Sequence, residues 1–231
     1  MIEDIIEIFN RNNIEINENE ANKFDKYYNM LIEYNAKFNL TAITDRKDCI
    51  IKHFVDSVLP LKSMKIAKSI LDIGSGAGFP GIPLKIMLGD DVKIVLVDSL
   101  NKRVGFLNDV IKALKLNNIE AIHCRAEDID KKYRDSFCFV VSRAVASMPT
   151  LLELTIPYVK VGGCFVAYKS DVNEEIKQSN NALNVLNSKI ERIEKFNLEN
   201  EMLRSIVFVK KEKMTNIKYP RKQNKPKLSP L

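Results

Sequence analysis

The chain changes its spacing of apolar residues once, near residue 69. Before that point, apolar side chains recur every three or four residues, as on one face of an α-helix, and no strand-like alternation interrupts them. The longest of these faces includes Phe24, Tyr27 and Leu31, which we expect to lie in a core rather than at a ligand. The predicted helices cover residues 1–9, 21–38 and 47–59.

After residue 69, short runs rich in Val, Ile and Leu alternate with segments of helical spacing. Apolar strands separated by helices are typical of a parallel sheet that is covered on both faces. The predicted strands are 69–73, 93–97, 119–123, 137–142 and 163–168, and the helices are 81–88, 101–116, 148–159 and 172–187. A short polar connection is predicted at 128–135, and a hairpin of 189–196 with 204–210 closes the sheet.

This pattern predicts an α/β protein with a seven-stranded, Rossmann-like sheet and a helical N-terminal extension. A chain of 231 residues is long enough for one large core with small additions. We divide it into a helical N-terminal cap (1–62), a cofactor-binding domain (63–212) and a basic C-terminal tail (213–231).

Half of the eight glycines fall directly after the first predicted strand, as Gly74, Gly76, Gly78 and Gly81. Glycine lets the backbone pass close to a ligand and adopt positive φ. The helix that follows directs its free N–H groups at whatever lies over this turn. The turn therefore predicts a nucleotide-type cofactor site.

Polar residues follow each of the next strands, where ligands bind in open parallel sheets. Asp98, at the end of the second strand, is placed to accept the two hydroxyls of a ribose, although it could instead cap the next helix. Ser99 follows Asp98 at the same strand end, and the next two strand ends carry Arg125, Ala126 and Glu127, and Ser142, Arg143 and Ala144.

Two cofactors suit this arrangement. Gly76 to Gly81 satisfies the G-x-G-x-x-G pattern of dinucleotide sites, so a nicotinamide-dependent oxidoreductase is one hypothesis. Asp72 stands two residues before the first glycine, where it would repel a pyrophosphate, and the bulky Phe79 suits a cofactor without one. We therefore favour S-adenosylmethionine, with Asp72 and the first three glycines facing it and Gly81 allowing helix and sheet to pack closely.

The remaining composition limits where the protein acts. No apolar run approaches the ~18 residues of a membrane span, and the acidic N-terminus is unlike a signal peptide, so we expect a cytoplasmic protein. The four cysteines form no C-x-x-C pair, which favours free thiols and no metal site. Residues 210–231 carry eight Lys and Arg against Glu212 alone, a charge of +7, so residues 1–209 are at −1 and the formal charge of +6 arises from this segment. It either contacts a polyanion such as RNA or is a solvated tail.

Several motifs occur in order along nearly the whole chain: NLTAI (39–43), HFVDS (53–57), LDIGSGAGFPGIPLKI from Leu71, DSLNKRVGFL (98–107), RAED (125–128), SRA (142–144) and YPRK (219–222). Together they resemble the bacterial RsmG (GidB) family of guanine-N7 methyltransferases. The resemblance implies an S-adenosylmethionine-dependent methyltransferase fold that acts on 16S rRNA or a small ribosomal subunit particle. We expect no membrane or metal partner, and a monomer.

The resemblance also implies roles for residues. Cofactor binding would involve Gly74, Gly76, Gly78, Phe79, Val97, Asp98, Ser99, Ala126, Glu127 and Arg143. Positioning candidates are His53, Arg143 and Lys169. RNA candidates are Lys102, Arg103, Arg125, Tyr219, Arg221 and Lys222. His53 could equally be structural, bonded to Asp56, and Lys102, Arg103, Arg125 and Lys169 could equally be solvated charges. Tyr219 would add a stacking surface beside the cations of YPRK.

Guanine N7 has a lone pair and no proton to lose, so such an enzyme needs positioning rather than a general base. No cysteine has the setting of a cytosine-C5 nucleophile, and Ser142 to Val145 is not the turn typical of amine methylation. Lys169 with Asp171 leaves ribose methylation weakly open. A third hypothesis, besides the methyltransferase and the oxidoreductase, is a non-catalytic RNA-binding module that only stores the cofactor.

Overall fold

The computed structural model describes residues 2–64, 67–143, 146–199 and 202–231. Its first part is a helical cap (α1 to α5). Asn17 and Glu20 form a reciprocal capping box at the start of α2, and Asn39 ends that helix in a left-handed conformation. The cap contains α1 (Ile2–Arg11), α2 (Glu18–Phe38), α3 (Arg46–Cys49), α4 (Asp56–Val58) and α5 (Leu61–Met64).

The third predicted helix, 47–59, differs from a single α-helix. Its centre, Ile50–Val55, is a π-helical turn between α3 and α4. This turn contains His53, and such turns are frequent at functional sites. The boundary that we predicted at residue 62 falls inside α5.

Seven strands form one sheet in the described part of the chain, in the order β3-β2-β1-β4-β5-β7-β6. The first five are parallel, and β7 runs antiparallel between β5 and β6. The strands are β1 (Ser69–Ile73), β2 (Lys93–Asp98), β3 (Ile119–His123), β4 (Phe137–Arg143), β5 (Val159–Lys169), β6 (Ser188–Leu198) and β7 (Met202–Lys211). The predicted fold class, with its closing hairpin, is confirmed. Strand order reverses between β1 and β4, which is where ligands bind in such sheets.

Helices cover both faces of this sheet, because alternate strand residues enter two separate cores. The cap, α6 and α7 pack on one face, and α8 and α10 pack on the other. These helices are α6 (Gly81–Leu88), α7 (Asn101–Ala113), α8 (Met148–Thr155), α9 (Asn173–Gln178) and α10 (Asn180–Val185).

Several predicted helices are shorter in the structure. The helix predicted at 148–159 stops at Thr155, and Ile156–Tyr158 is a 3-10 turn that contains Pro157. The predicted 172–187 helix is two helices that meet at Ser179. The connection at 128–135 is not purely irregular, since it includes part of two 3-10 turns, Ala126–Asp128 and Lys131–Tyr133.

Residues 213–231, which we call the C-terminal segment, lie against the domain and are not a free tail. The guanidinium of Arg134 donates to the carbonyls of Thr215, Asn216 and Tyr219. The hydroxyl of Thr150 donates to the carbonyl of Pro226, which lies in the short helix α11 (Lys225–Leu228).

Across the residues described, we find no helix that combines the length and the apolar character needed to traverse a bilayer.

Candidate cofactor and substrate site

A cavity of about 670 Å³ opens at the carboxyl ends of β1 to β4, between the helical cap and the C-terminal segment. The strand ends contribute Ile73, Gly74, Ser75, Gly76, Ala77, Phe79, Val97, Asp98, Ser99, Cys124, Arg125, Ala126, Glu127 and Arg143. Other parts of the chain contribute Leu40, Thr41, His53, Arg103, Ala146, Thr150, Leu154, Asn224 and Lys227. Every residue predicted to face the cofactor lines this cavity except Gly78 and Asp72.

The glycine turn begins where β1 ends. The N–H groups of Gly74 and Ser75 donate to the Val97 carbonyl at 2.8 and 3.1 Å, which fixes the turn to β2. Gly74 and Gly76 both have positive φ, which favours glycine. A Cβ added to Gly76 would meet only the Gly74 carbonyl oxygen within 4 Å, at 3.9 Å, so this position borders open space that a ligand can fill.

The next two glycines serve packing. A Cβ at Gly78 would lie 2.5 Å from the Tyr27 hydroxyl oxygen, so our prediction that Gly78 faces a cofactor is corrected: it makes room for α2. A Cβ at Gly81 would lie 2.2 Å from Leu96, in agreement with the close packing of helix and sheet that we predicted for Gly81.

Asp72 also turns away from the cavity, against our prediction. Its carboxylate is fully buried and accepts the Gly81 N–H at 2.9 Å, at the start of α6. Burial raises the pKa of Asp72 to about 7, against the lowering effect of the Gly81 amide. Asp72 therefore stabilises the glycine turn from the side that faces away from the cavity.

Asp98 brings a carboxylate to the cavity at the end of β2. One oxygen accepts the Gly76 N–H at 2.9 Å, and the other accepts the Leu100 N–H at 2.9 Å. Arg103 lies 3.5 Å from the first oxygen. Asp98 therefore holds the glycine turn and also the backbone at Leu100, directly before α7, and a carboxylate oxygen has further lone pairs for a ligand hydroxyl.

The cap side of the cavity carries His53. Its ring stacks on Phe79 at 4.5 Å, its Nε2 lies 2.8 Å from the Thr41 hydroxyl oxygen, and its Nδ1 lies 3.2 Å from the Arg143 guanidinium. Because a guanidinium can only donate, Nδ1 is the acceptor and we assign the proton to Nε2. Burial, with the charge of Arg143, lowers the pKa of His53 to about 3, so the ring is neutral.

Arg143 lies at the centre of a buried charge network. It donates to Asp56 at 2.9 Å and to the Lys52 carbonyl at 3.1 Å, and it lies over the Phe79 ring at 4.9 Å. Asp56 is fully buried and also accepts from Arg204 at 2.8 Å. We considered a hydrogen bond between His53 and Asp56, but in the structure each of these two residues contacts Arg143 instead. Two residues of the predicted site region, Ala144 and Val145, lie outside the described residues.

The third strand end forms the opposite wall. The carbonyl of Ala126 accepts from the Tyr158 hydroxyl at 2.9 Å, and the mostly buried Glu127 lies 3.7 Å from the exposed Arg125. Lys222 of the C-terminal segment donates to the Glu127 carbonyl and to Asp128, the latter at 2.8 Å. The backbone of this wall is therefore held by two hydrogen bonds, one from Tyr158 and one from Lys222.

Three predicted residues have structural contacts in place of the expected ones. Lys169 is outside the cavity lining, and its ammonium donates to the Ala146 carbonyl and to Glu175, both at 2.7 Å. Arg221 donates to the fully buried Glu153 at 2.8 and 2.6 Å. Tyr219 is 6% exposed, so its ring offers no face on which a base could stack.

The other RNA candidates are accessible to different extents. Lys102 is exposed on α7 away from the cavity lining, and Arg103 and Arg125 lie at the cavity itself. The side chain of Lys222 is 62% exposed although it pairs with Asp128. These positions leave cations beside the cavity, and their contact with RNA stays a prediction.

Our sequence reasoning did not identify several lining residues. Thr41 belongs to the NLTAI motif, whose presence was a usable signal. Thr150 and Leu154 lie on the apolar helix α8, and Asn224 and Lys227 lie on the C-terminal segment. Nothing in their spacing indicates the cavity, because the fold of the C-terminal segment brings them there.

No cluster of three His, Cys, Asp or Glu side chains that could hold a metal ion occurs in the described ranges.

Comparison with known proteins agrees with this architecture. The family model described as GidB, rRNA small subunit methyltransferase G, matches residues 20–204. A ribosomal RNA small subunit methyltransferase G from Clostridium kluyveri is 49% identical over 94% of this chain and 93% of its own. Its counterpart from Acetivibrio thermocellus is 45% identical over 94% of this chain and 91% of its own.

A solved structure shares the fold at much lower sequence identity. The SAM-dependent methyltransferase from Aquifex aeolicus superposes with a TM-score of 0.56 at 17% identity, covering 74% of this chain and 96% of its own. With a family model over most of the chain and relatives nearly half identical, this chain belongs to the GidB family, rRNA small subunit methyltransferase G.

Proposed function

We propose that this protein transfers the methyl group of S-adenosylmethionine to N7 of a guanine in 16S rRNA of the small ribosomal subunit. Family membership supports the reaction class, because the relatives named above are small subunit rRNA methyltransferases. The observation that carries the choice of acceptor atom is the chemistry of the cavity. His53 is its one lining histidine among the described residues, and both of its ring nitrogens are already engaged, Nδ1 by Arg143 and Nε2 by Thr41, so the ring is poorly placed to act as a general base.

The residues at the strand ends fit this cofactor. The open space at Gly76 admits the close approach of a ligand to the backbone, and the cavity volume accommodates a nucleoside with an amino-acid chain. Asp98 would accept the ribose hydroxyls, and the Ala126 and Glu127 wall would border the adenine. When bound, S-adenosylmethionine supplies an electrophilic methyl group on a sulfonium.

The cap side of the cavity suits a guanine that loses no proton. The neutral His53 ring, stacked on Phe79, gives an uncharged surface beside Arg143. Asp56 is shared by Arg143 and Arg204, so it offsets part of their charge and reduces the electrostatic cost of a second cation in this region. The described residues would then act by orienting the N7 lone pair toward the methyl group and by excluding water.

The substrate form and the surroundings are part of the same proposal. Arg103, Arg125, Lys222 and Lys227 lie at or beside the cavity and would contact RNA phosphates. We propose that the protein works as a cytoplasmic monomer on a small ribosomal subunit particle or its rRNA. Light scattering on the free and RNA-bound protein tests the monomer.

Methyl transfer to RNA that lacks the modification tests the function. Labelled S-adenosylmethionine is incubated with the protein and either naked 16S rRNA or small subunit particles, and the product nucleoside is identified by mass spectrometry. We expect 7-methylguanosine at one position. A different methylated nucleoside would refute the acceptor atom, and cofactor binding without transfer to either substrate would favour a non-catalytic RNA-binding module.

Asp98→Ala serves as the matched variant. Because it removes the ribose acceptor and the support of the Gly76 amide, we expect it to weaken cofactor binding while RNA affinity is retained. Binding of NAD by the wild-type protein in place of S-adenosylmethionine would favour the oxidoreductase hypothesis.

A further inference from the structure

We propose that Tyr27 and Tyr158 are positioning residues for the cofactor, whose hydroxyl groups hold the backbone on the two sides of the cavity. Each hydroxyl donates to the carbonyl of an alanine that lines the cavity, Tyr27 to Ala77 and Tyr158 to Ala126. Neither tyrosine lines the cavity itself. This inference rests on the proposed function, since it concerns how S-adenosylmethionine is held.

Tyr27 connects the helical cap to the glycine turn. It lies on α2, is fully buried, and stacks on Phe54 with ring centroids 5.4 Å apart. Its hydroxyl meets the Ala77 carbonyl 50 residues further along the chain. The missing Cβ of Gly78 leaves the space that this hydroxyl occupies, so turn and tyrosine fit one another.

Tyr158 supports the opposite wall from the other face of the sheet. It ends the 3-10 turn after α8 and belongs to the second core, whereas Tyr27 belongs to the first. Its hydroxyl donates at 2.9 Å to the Ala126 carbonyl, where the wall next to Glu127 begins. The two contacts share no residues.

The strength of this arrangement comes from burial. A buried carbonyl that loses its donor keeps the full cost of desolvation, so the backbone is driven to move toward another donor. Burial also raises the pKa of both phenols, which therefore remain protonated donors at every physiological pH. Because a binding site has to be held within about 0.5 Å of its productive geometry, a small displacement of the backbone at the cavity weakens ligand binding.

A third tyrosine provides a matched control. Tyr168 is buried to a similar degree, and its hydroxyl donates at 2.7 Å to the Ser57 carbonyl, which does not line the cavity. Tyr27→Phe, Tyr158→Phe and Tyr168→Phe each remove the hydroxyl of a buried tyrosine that donates to one backbone carbonyl. The three variants should therefore lose similar amounts of unfolding free energy.

The experiment measures S-adenosylmethionine affinity by calorimetry, steady-state kinetics of methyl transfer, and urea unfolding for the three variants and the wild type. We expect Tyr27→Phe and Tyr158→Phe each to raise Kd and KM for the cofactor by about fivefold, from the loss of one hydrogen bond. At saturating cofactor, kcat should be retained. Tyr168→Phe should keep the wild-type Kd. The double variant Tyr27→Phe/Tyr158→Phe should show the product of the two single effects, since the contacts are independent.

Two results would overturn the positioning roles. One is an unchanged Kd in both variants, and the other is a Kd that rises equally in all three and follows the loss of stability. If Tyr27→Phe does not fold, Tyr158→Phe against Tyr168→Phe decides the question. A wild-type protein that does not bind S-adenosylmethionine would instead refute the proposed function, so the two failures are distinguishable.

Discussion

The helical cap and the C-terminal segment reach the same cavity, but different forces attach them to the domain. The cap packs on the domain mainly through apolar and aromatic side chains, with the ring centroids of Tyr27 and Phe54 at 5.5 and 6.1 Å from that of Phe79, and its Asp56 adds buried ion pairs with two arginines of the domain. The C-terminal segment is attached by charged hydrogen bonds, above all from Arg221 to Glu153 and from Arg134 to three carbonyls.

This difference matters for how each region can change. Apolar packing is lost only when the core is opened, whereas an ionic contact weakens with salt and can be broken at one residue. We therefore expect the cap to behave as part of the domain core and the C-terminal segment to be separable from it. The following predictions test that contrast, from the largest effect to the smallest.

Phe54→Ala should cause the largest loss, because it leaves a cavity within the core that joins the cap to the domain. We expect the free energy of unfolding to fall by about 4 kcal/mol, measured by urea denaturation. Phe38→Ala is the control, since Phe38 is 36% exposed at the end of α2 and should cost about 0.5 kcal/mol. Equal losses in both variants would contradict the role of the cap as core.

Arg221→Ala should have an intermediate effect. It leaves the buried carboxylate of Glu153 without its guanidinium partner, and we expect a loss of about 2 kcal/mol. Limited proteolysis should then cut within residues 213–231 while the rest of the chain stays resistant. A C-terminal segment as resistant as that of the wild type would show that other contacts hold it.

The change of unfolding free energy with pH should be smaller than the two mutational losses above, because the contributions of two buried groups change in opposite directions with pH. His53 has its pKa lowered from 6.5 to about 3, so its contribution is present above pH 6.5 and is lost as the pH falls. Asp72 has its pKa raised from 3.8 to about 7, so its contribution is present below pH 3.8 and is lost as the pH rises.

His53→Gln removes the titrating histidine, so that the contribution of Asp72 can be measured without it. Glutamine can accept from Arg143 and donate to Thr41 without titrating. Between pH 6.5 and pH 3.8, the variant should gain unfolding free energy relative to the wild type as the pH falls. Parallel profiles in urea denaturation at a series of pH values would contradict this assignment.

Lys222→Met should have the smallest effect on stability, below about 1 kcal/mol, because its pair with Asp128 is exposed. If the side chain contacts RNA, the slope of the logarithm of RNA affinity against the logarithm of salt concentration should decrease in magnitude by about 1. Filter binding at several salt concentrations measures this. An unchanged slope would remove Lys222 from the RNA surface.

The sheet and the glycine turn could be predicted from the sequence because both depend on local patterns. Apolar runs mark β1 to β5, and the crowded position of Gly81 follows from its place between a strand and a helix. In the same turn, Gly78 was assigned to the wrong partner, because the Tyr27 hydroxyl that excludes a side chain comes from a distant helix.

The contacts of the charged residues could not be predicted, because their partners are remote in sequence. Glu153 lies in an apolar helix and gives no sign that it binds Arg221, which had suggested an RNA contact. Lys169 follows a strand as a site residue would, yet it holds the chain at Ala146. Charge and position along the chain identify candidates, but only the fold decides whether a charge is already neutralised.

Asp98 has a consequence for the thermodynamics of binding. Its carboxylate accepts from the Gly76 and Leu100 amides, which both belong to the protein, so contacts within the chain are enough to order the glycine turn. The entropy lost on binding should then come mainly from the ligand, and the heat-capacity change should match the apolar area that the ligand buries. A larger heat-capacity change in calorimetry would reveal folding of the protein around the ligand.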